Sequence, residues 1–401
     1  MTSAELTEKD RAEQEERERY SFRWSDLPLV TPDVEGTGGV VRTTPEDFRV
    51  TEIPLYLPEG TGSHRYLLVE KRGYNTRELV QALMRGGVEE KAIGVAGLKD
   101  KAAVTVQWLS VPKRFKEAVG ELAALPGVRI LDESYHRNKL GIGHLKGNRF
   151  EITVRGVGPG AAAAAGEALR ALAVRGSPNW FGPQRFGRFG GNAYDGLRVL
   201  RGEDVPGGHR LKRFFLSALQ STLFNAILAR RIEAGLYQRV IQGDYARKHD
   251  TGGTFLVEDE SVESPRAERL EISATLPLFG RKVKQSGGRA GEFEQAVLNE
   301  YGLRWAQFTP RHGDRRLTRV LLEDTETAML KADDPLSAAP DGAQGAAEVS
   351  PTGESAPAPP VVEDALRLAF SLPKGSYATA VLREVMKVEV DAPFERPDEL
   401  D

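Results

Sequence analysis

Asp100 stands where a carboxylate could do chemistry. It lies between Lys99 and Lys101 in the stretch GVAGLKDKAAVTVQWLSV, Gly94 to Val111. A short Gly-flanked apolar run precedes the three charges, and Val104, Val106 and Trp108 alternate after them as in a strand. In an isolated surface loop Lys-Asp-Lys is an ordinary solvated cluster. Here it interrupts two runs that read as buried strands, where chains place charges that have partners or a task. An ionised aspartate so placed either attacks an electrophilic carbon or takes a proton. Paired with a second carboxylate such as Glu52, it would also suit glycosidase-like chemistry on a small substrate. The chain has no cysteine, which excludes a thiolate nucleophile, disulfides and Cys-ligated metal sites.

The neighbouring elements should hold Asp100 firmly. Arg65 to Lys71 reads as a strand. Asn75-Thr76-Arg77-Glu78 opens a helix, with Asn75 as the cap, Glu78 completing a capping box, and Gly86-Gly87 as the stop. Accurate placement of one carboxylate between packed elements is what covalent or proton-transfer chemistry requires. Upstream, Gly36-Thr37-Gly38-Gly39 lacks the Lys-Ser/Thr of a P-loop and reads as a turn into strand sequence from Val40 to Ile53. Downstream, Ser134 to Phe150 crowds Arg, Lys and His among glycines and ends in an aromatic. That pattern suits a distorted or single-stranded RNA, and equally a hairpin edge protected by charge. Ser177 to Gly187, SPNWFGPQRFG, with Arg188 after it, suits base stacking plus phosphate contact, or an aromatic loop packed on its own domain.

Taken together these stretches resemble the TruD family of tRNA pseudouridine synthases. Gly97, Lys99, Asp100, Lys101, Ala103 and Thr105 match the run that carries the family's catalytic Asp. Gly39 to Glu52 resembles the N-terminal block, in which a basic residue precedes Pro-Glu-Asp-Phe, with Arg42 in place of a Lys. Lys146 to Phe150 resembles a Gly-Asn-x-Phe block, Pro178 to Gly187 a Pro-Asn-Tyr-Phe-Gly-x-Gln-Arg-Phe-Gly block with Trp180 for Tyr, and Leu372 to Glu384 the C-terminal motif with Tyr377 for Phe. The resemblance implies Asp100 as nucleophile and Arg42 as the group that steadies charge, a role a guanidinium keeps although it does not transfer protons. It implies Phe48, Glu52, Lys99, Lys101, Asn148, Phe150 and Tyr377 around the uridine. Lys146, Asn179, Phe181, Gln184 and Arg185 would lie along the RNA. No metal or other cofactor is implied, since isomerising uridine needs neither redox change nor an external group. The implied substrate is tRNA, modified at position 13.

The implied fold is α+β: a pseudouridine synthase catalytic domain with a mixed, largely antiparallel sheet, interrupted by an α/β insertion domain. With 401 residues the chain has room for both. The expected boundaries are a charged, flexible extension over 1–22, a catalytic domain over 23–177 and 323–390, and an insertion domain over 178–322. The long amphipathic helix expected from Leu211 to Ala234 is core, and Phe279 to Lys284 and His312 to Arg316 are basic turns. Residues 332–364, rich in Ala, Pro and acids, read as a disordered insertion inside the catalytic domain. The net charge of −3 hides a split: residues 1–20 carry −3 and 332–364 carry −7, which leaves about +7 for the rest, a mild bias toward a polyanion. No stretch is long and apolar enough to cross a bilayer, and the N-terminus has no signal-like run. A cytoplasmic monomer that needs no protein partner is expected.

Overall fold

The computed structural model describes residues 8–187, 189–309, 311–330 and 365–390; the acidic stretch 332–364 and Arg188 lie outside the described residues. Seven strands come first: β1 (Val40–Val41), β2 (Phe48–Pro54), β3 (His64–Arg72), β4 (Gly94–Val95), β5 (Val104–Pro112), β6 (Val128–His136) and β7 (Leu145–Arg155). Helix α1 (Glu8–Arg19) precedes them, and α2 (Thr76–Arg85) and α3 (Lys116–Ala123) lie among them. After α4 (Ala161–Arg175), the short β8 (Ser177–Pro178) leads to α5 (Pro183–Phe186), α6 (Asn192–Leu200) and the long α7 (His209–Glu233). Next come β9 (Tyr245–Lys248), β10 (Thr254–Leu256), α8 (Glu260–Glu268), β11 (Ile272–Leu278), α9 (Gly288–Glu300) and β12 (Asp314–Leu317). Short β13 (Arg319–Val320) leads back to β14 (Glu323–Leu330), β15 (Ala365–Pro373) and α10 (Ala378–Met386).

The main sheet runs β14-β15-β7-β2-β5-β3-β6, with β1 beside β7 and β4 beside β5. Its pairings are antiparallel except β2 with β5, so the expected mixed, largely antiparallel sheet is present. Helices cover its middle strands. Leu79, Ala82 and Leu83 of α2 pack with Ala118 and Leu122 of α3 on Leu67, Val69, Leu109 and Val111. Farther along, Ala165, Leu169 and Leu172 of α4 join Val381 and Val385 of α10 over Ile152, Val154, Leu366 and Leu368. The capping box of α2 forms as its sequence predicts: Glu78 N–H donates to Asn75 Oδ1 at 3.0 Å and Asn75 N–H to Glu78 Oε2 at 2.6 Å.

A second, four-stranded sheet, β10-β9-β11-β12, stands beside α7. Where the chain leaves and returns, β8 and β13 pair antiparallel, Arg319 opposite Pro178 and Val320 opposite Ser177. Of the extension expected to be flexible over 1–22, the described residues 8–22 are anchored. Residues 8–19 are helical, Arg201 holds Glu16 through two hydrogen bonds, and the buried Tyr20 donates its hydroxyl to Tyr301 O at 2.7 Å. Phe22 stacks on Phe186 with centroids 4.5 Å apart. The charged residues hid these anchors, which are the aromatics at the end of the stretch.

Candidate active site

Asp100 lies in the loop between β4 and β5, and that loop is tied down from beneath. The fully buried Lys71 ammonium donates to Asp100 O at 2.7 Å and Lys99 O at 3.3 Å, and also to Tyr74 O. Thr76, first residue of α2, accepts from Lys99 N–H at 2.8 Å and donates to Gln107 Oε1 at 2.9 Å. Lys71 shares the buried face of β3 with Leu67 and Val69. A lysine at the inward phase of an apolar alternation was the sequence signal for it.

Strand register sets the walls. In β2 and β7, Val50 lies opposite Phe150 and Glu52 opposite Asn148, while Leu372 and Phe370 of β15 flank Asn148 and Phe150 on the other side. Residues directly opposite each other share a face, so Phe48, Val50, Asn148 and Phe150 present themselves together, with Thr105 of β5 opposite Val50. They line a cavity of about 160 Å³ with Asp100, Arg42, Lys99, Gln184 and Tyr377. At roughly 30 Å³ per water this is space for about five waters, or one flat ring. Phe48 and Phe150 meet edge to face with centroids 6.2 Å apart, and the Arg42 guanidinium lies 3.9 Å from the Phe48 centroid. Arg42 adopts φ 63, a left-handed backbone that costs a non-glycine residue about 1–3 kcal/mol and clusters at functional sites.

Gln184 Nε2 donates to Asp100 Oδ2 at 3.3 Å, which brings the aromatic loop's amide onto the acid. Three polar atoms lining the cavity, Thr105 Oγ1, Asn148 Oδ1 and Ser376 Oγ, are buried and have no hydrogen-bond partner among the described residues. Each such atom costs about 1–3 kcal/mol until something satisfies it. The site therefore suits a planar heterocycle with both donors and acceptors, set against a carboxylate.

Other expected residues stand elsewhere. Glu52 is buried one step behind the cavity, 3.2 Å from Lys99 Nζ; burial pushes its carboxyl up and the ammonium opposes this. It is not a second carboxylate facing a substrate, which removes the geometry of a glycosidase pair. Lys101 is exposed and pairs with Glu78 at 3.0 Å, and Lys146 is exposed on β7. Asn179 and Phe181, expected along the RNA, are turned inward instead. Asn179 donates to Leu317 O and accepts from Arg316, and Asn225 hydrogen-bonds both backbone groups of Phe181 at 3.0 Å. The reason is long-range, because their partners come from β12 and α7 and from no neighbour in sequence. Arg185 lies at the edge, donating to Tyr377 Oη at 3.4 Å and Ser217 Oγ at 3.2 Å.

Comparison with known proteins gives one answer over most of the chain. The profile of the family described as tRNA pseudouridine synthase D (TruD) matches residues 26–204 and 207–385. The tRNA pseudouridine synthase D of a Thermus thermophilus strain is 47% identical over 369 residues, covering 92% of this chain and 94% of that protein. The protein of the same name from Anaeromyxobacter dehalogenans is 44% identical over 378 residues, covering 92% and 99%. A crystal structure of a candidate tRNA pseudouridine synthase D from Methanosarcina mazei superposes with a TM-score of 0.67 at 25% identity, covering 90% of this chain and 97% of that one.

Proposed function

Because this chain belongs to the TruD family of tRNA pseudouridine synthases, we propose that the Asp100 cavity is where it turns the uridine at position 13 of tRNA into pseudouridine. The chain is an isomerase that acts on uridine in tRNA. The observation that carries the assignment of the site is the set of unsatisfied atoms beside Asp100, since a uracil offers an N–H and two carbonyls to them. Asn148 Oδ1 accepts from the ring N–H, and the hydroxyls of Thr105 and Ser376 donate to its carbonyls. Phe48 and Phe150, in edge-to-face contact with each other, form one apolar wall against the ring. A base inside a folded RNA reaches such a pocket only by leaving its stack.

The reaction breaks the bond from N1 to C1′ and makes one from C5 to C1′; C5 gives up its proton and N1 gains one, so composition is unchanged. Two routes start from the Asp100 carboxylate, attack on C1′ or removal of the C2′ proton, and only the second gives a primary isotope effect with deuterium at C2′. Arg42 offsets the charge on the departing base, and Gln184 and the Lys71 anchor hold the carboxylate in place. We further divide the chain into a catalytic domain over 23–177 and 323–390 and an insertion domain over 178–322. In support, the nine-stranded sheet draws on the first set alone and the four-stranded sheet on the second. No helix among the described residues is long and apolar enough to cross a membrane, and we place the protein in the cytoplasm as a monomer.

The test adds purified protein to unmodified tRNA transcripts with uridine at position 13 and maps pseudouridine by chemical derivatisation. Wild type is expected to modify that position, and Asp100→Ala to be slower by more than about 10³-fold with its thermal midpoint preserved. Turnover by the variant at the wild-type rate would remove Asp100 from the chemistry. Pseudouridine elsewhere would overturn position 13, and tight binding without product would leave an RNA-binding protein.

A further inference from the structure

The two basic turns picked out in the sequence meet in space. Arg281 and His312 form an isolated parallel bridge, and Arg281 N–H donates to Arg311 O at 2.8 Å. Between these turns and the first turns of α7 lies a cavity of about 410 Å³, well over twice the volume of the one at Asp100. Its apolar walls are Val199 and Leu200 of α6, Leu216 of α7, and Phe308, and its polar groups are Arg213, Arg281, Arg311, His312 and Gln307. Not one of these lining residues is a carboxylate, and none of the three arginines forms an ion pair among the described residues. Arg311 is half-buried, with Nε donating to Gln220 Oε1 at 2.9 Å. Burial, together with the guanidiniums of Arg213 and Arg185, holds it below its usual pKa. Guanidiniums gathered without counter-charge repel one another, and a phosphate relieves this by accepting from several forks at once.

We propose that this cavity binds a second nucleotide of the RNA substrate, its phosphate held by Arg213, Arg281 and Arg311 and its ribose and base lying against the half-buried Leu200 and Leu216. At roughly 30 Å³ per water the cavity has space for about fourteen waters, more than a bare phosphate fills. It also continues the catalytic site, since Arg185 reaches from Tyr377 Oη to Ser217 Oγ, the residue after Leu216. An RNA strand with its uridine at Asp100 would follow that line of cations, a statement that rests on the reading of Asp100 given above. The Gln307 carbonyl accepts from Arg304 N–H at 2.7 Å, which fixes the amide and leaves its NH2 as a donor for the edge of the base.

The experiment uses the full chain and the double variant Arg213→Ala/Arg281→Ala. Both side chains are exposed, and an unchanged thermal midpoint verifies the fold. Affinity for a full-length tRNA transcript is measured at several salt concentrations, and initial rates are measured against RNA concentration. The variant should bind at least tenfold more weakly, with the slope of log affinity against log salt shallower by up to roughly 0.7–0.9, the share of the one phosphate. Its half-saturating RNA concentration should rise in step while the plateau rate falls less than threefold. Affinity and salt slope matching wild type would overturn the proposal. Uridine 5′-monophosphate serves as the free-nucleotide probe: binding that the double variant loses while tRNA affinity stays intact would make this a site for free nucleotides, which also overturns it. Should wild type bind tRNA and make no pseudouridine while the variant still binds more weakly, the RNA site stands and the activity assigned to Asp100 fails.

Discussion

Lys99 and Glu52 stand behind the reacting carboxylate as a buried pair, side chains almost fully withdrawn from solvent and 3.2 Å apart. Removing one member leaves the other charged and uncompensated in a poor dielectric, which costs about 3–5 kcal/mol. Lys99→Met is therefore expected to lower the unfolding free energy from urea titration by that amount, and Lys99→Met/Glu52→Gln to recover most of it. A single variant within about 1 kcal/mol of wild type would show that the pair is not what holds the loop. The sequence named both residues but not their partnership, because the two lie in different elements and only the parallel step from β2 to β5 brings them together. Asp100 stood out locally, as a charge between two apolar runs, whereas Phe48, Asn148 and Phe150 were marked only by the resemblance to the family's blocks, since on pattern alone an inward strand aromatic reads as core. Lys71 carried a signal in its inward phase on β3, but its hold on the Asp100 backbone, about thirty residues away, left none, and neither did the setting of the Thr105 hydroxyl beside a strand about fifty residues away.

Helix α2 could be read to its cap because a capping box is a property of four consecutive residues. The start of α10 could not. Ser376 looks like the cap, yet its N–H closes a turn onto Pro373 O, Tyr377 takes the extended cap position, and the helix begins at Ala378. The shift by one residue puts the Tyr377 ring at the cavity and leaves the Ser376 hydroxyl unsatisfied there. In the second sheet, His249 follows β9 and meets Ser273 Oγ of β11 at 2.8 Å. Burial, with the nearby Arg319, lowers its pKa to about 4. The folded state thus refuses a proton that the unfolded chain accepts below about 6.5, so stability falls as pH drops from there toward 4 and the contribution is intact above 6.5. His249→Gln should remove up to about 2 kcal/mol of that acid loss after allowance for solvent screening. Urea titrations at pH 7 and pH 4.5 measure it, and equal losses in variant and wild type would refute the assignment.

Across the whole molecule, the N-terminal segment and the acidic stretch distort any reading by net charge. The first of these is also structural, since Tyr20 and Trp24 join the core built on α7. Deleting residues 1–22 strips Tyr20 and Phe22 from their pockets and should cost about 3–6 kcal/mol, at about 1.5–3 kcal/mol per large side chain. Thermal unfolding reports it, and an unmoved midpoint would show the segment to be dispensable. An inserted unit after Ser177 was expected from the family resemblance rather than from any local pattern, and the pairing of β8 with β13, which joins residues about 140 apart, leaves no local trace either. The same topology has a consequence for synthesis. One edge of β7 is covered by β2, made a hundred residues before it, but the other waits for β15, which begins about 210 residues after Arg155. At about 5–20 residues per second the ribosome needs about 10–40 s to deliver that partner. For that interval the nascent chain exposes an unpaired edge carrying Phe150, Ile152 and Val154, a template for pairing with its neighbours on a polysome. Newly made chains of this protein should therefore depend on chaperone shielding until nearly the last residue has been added.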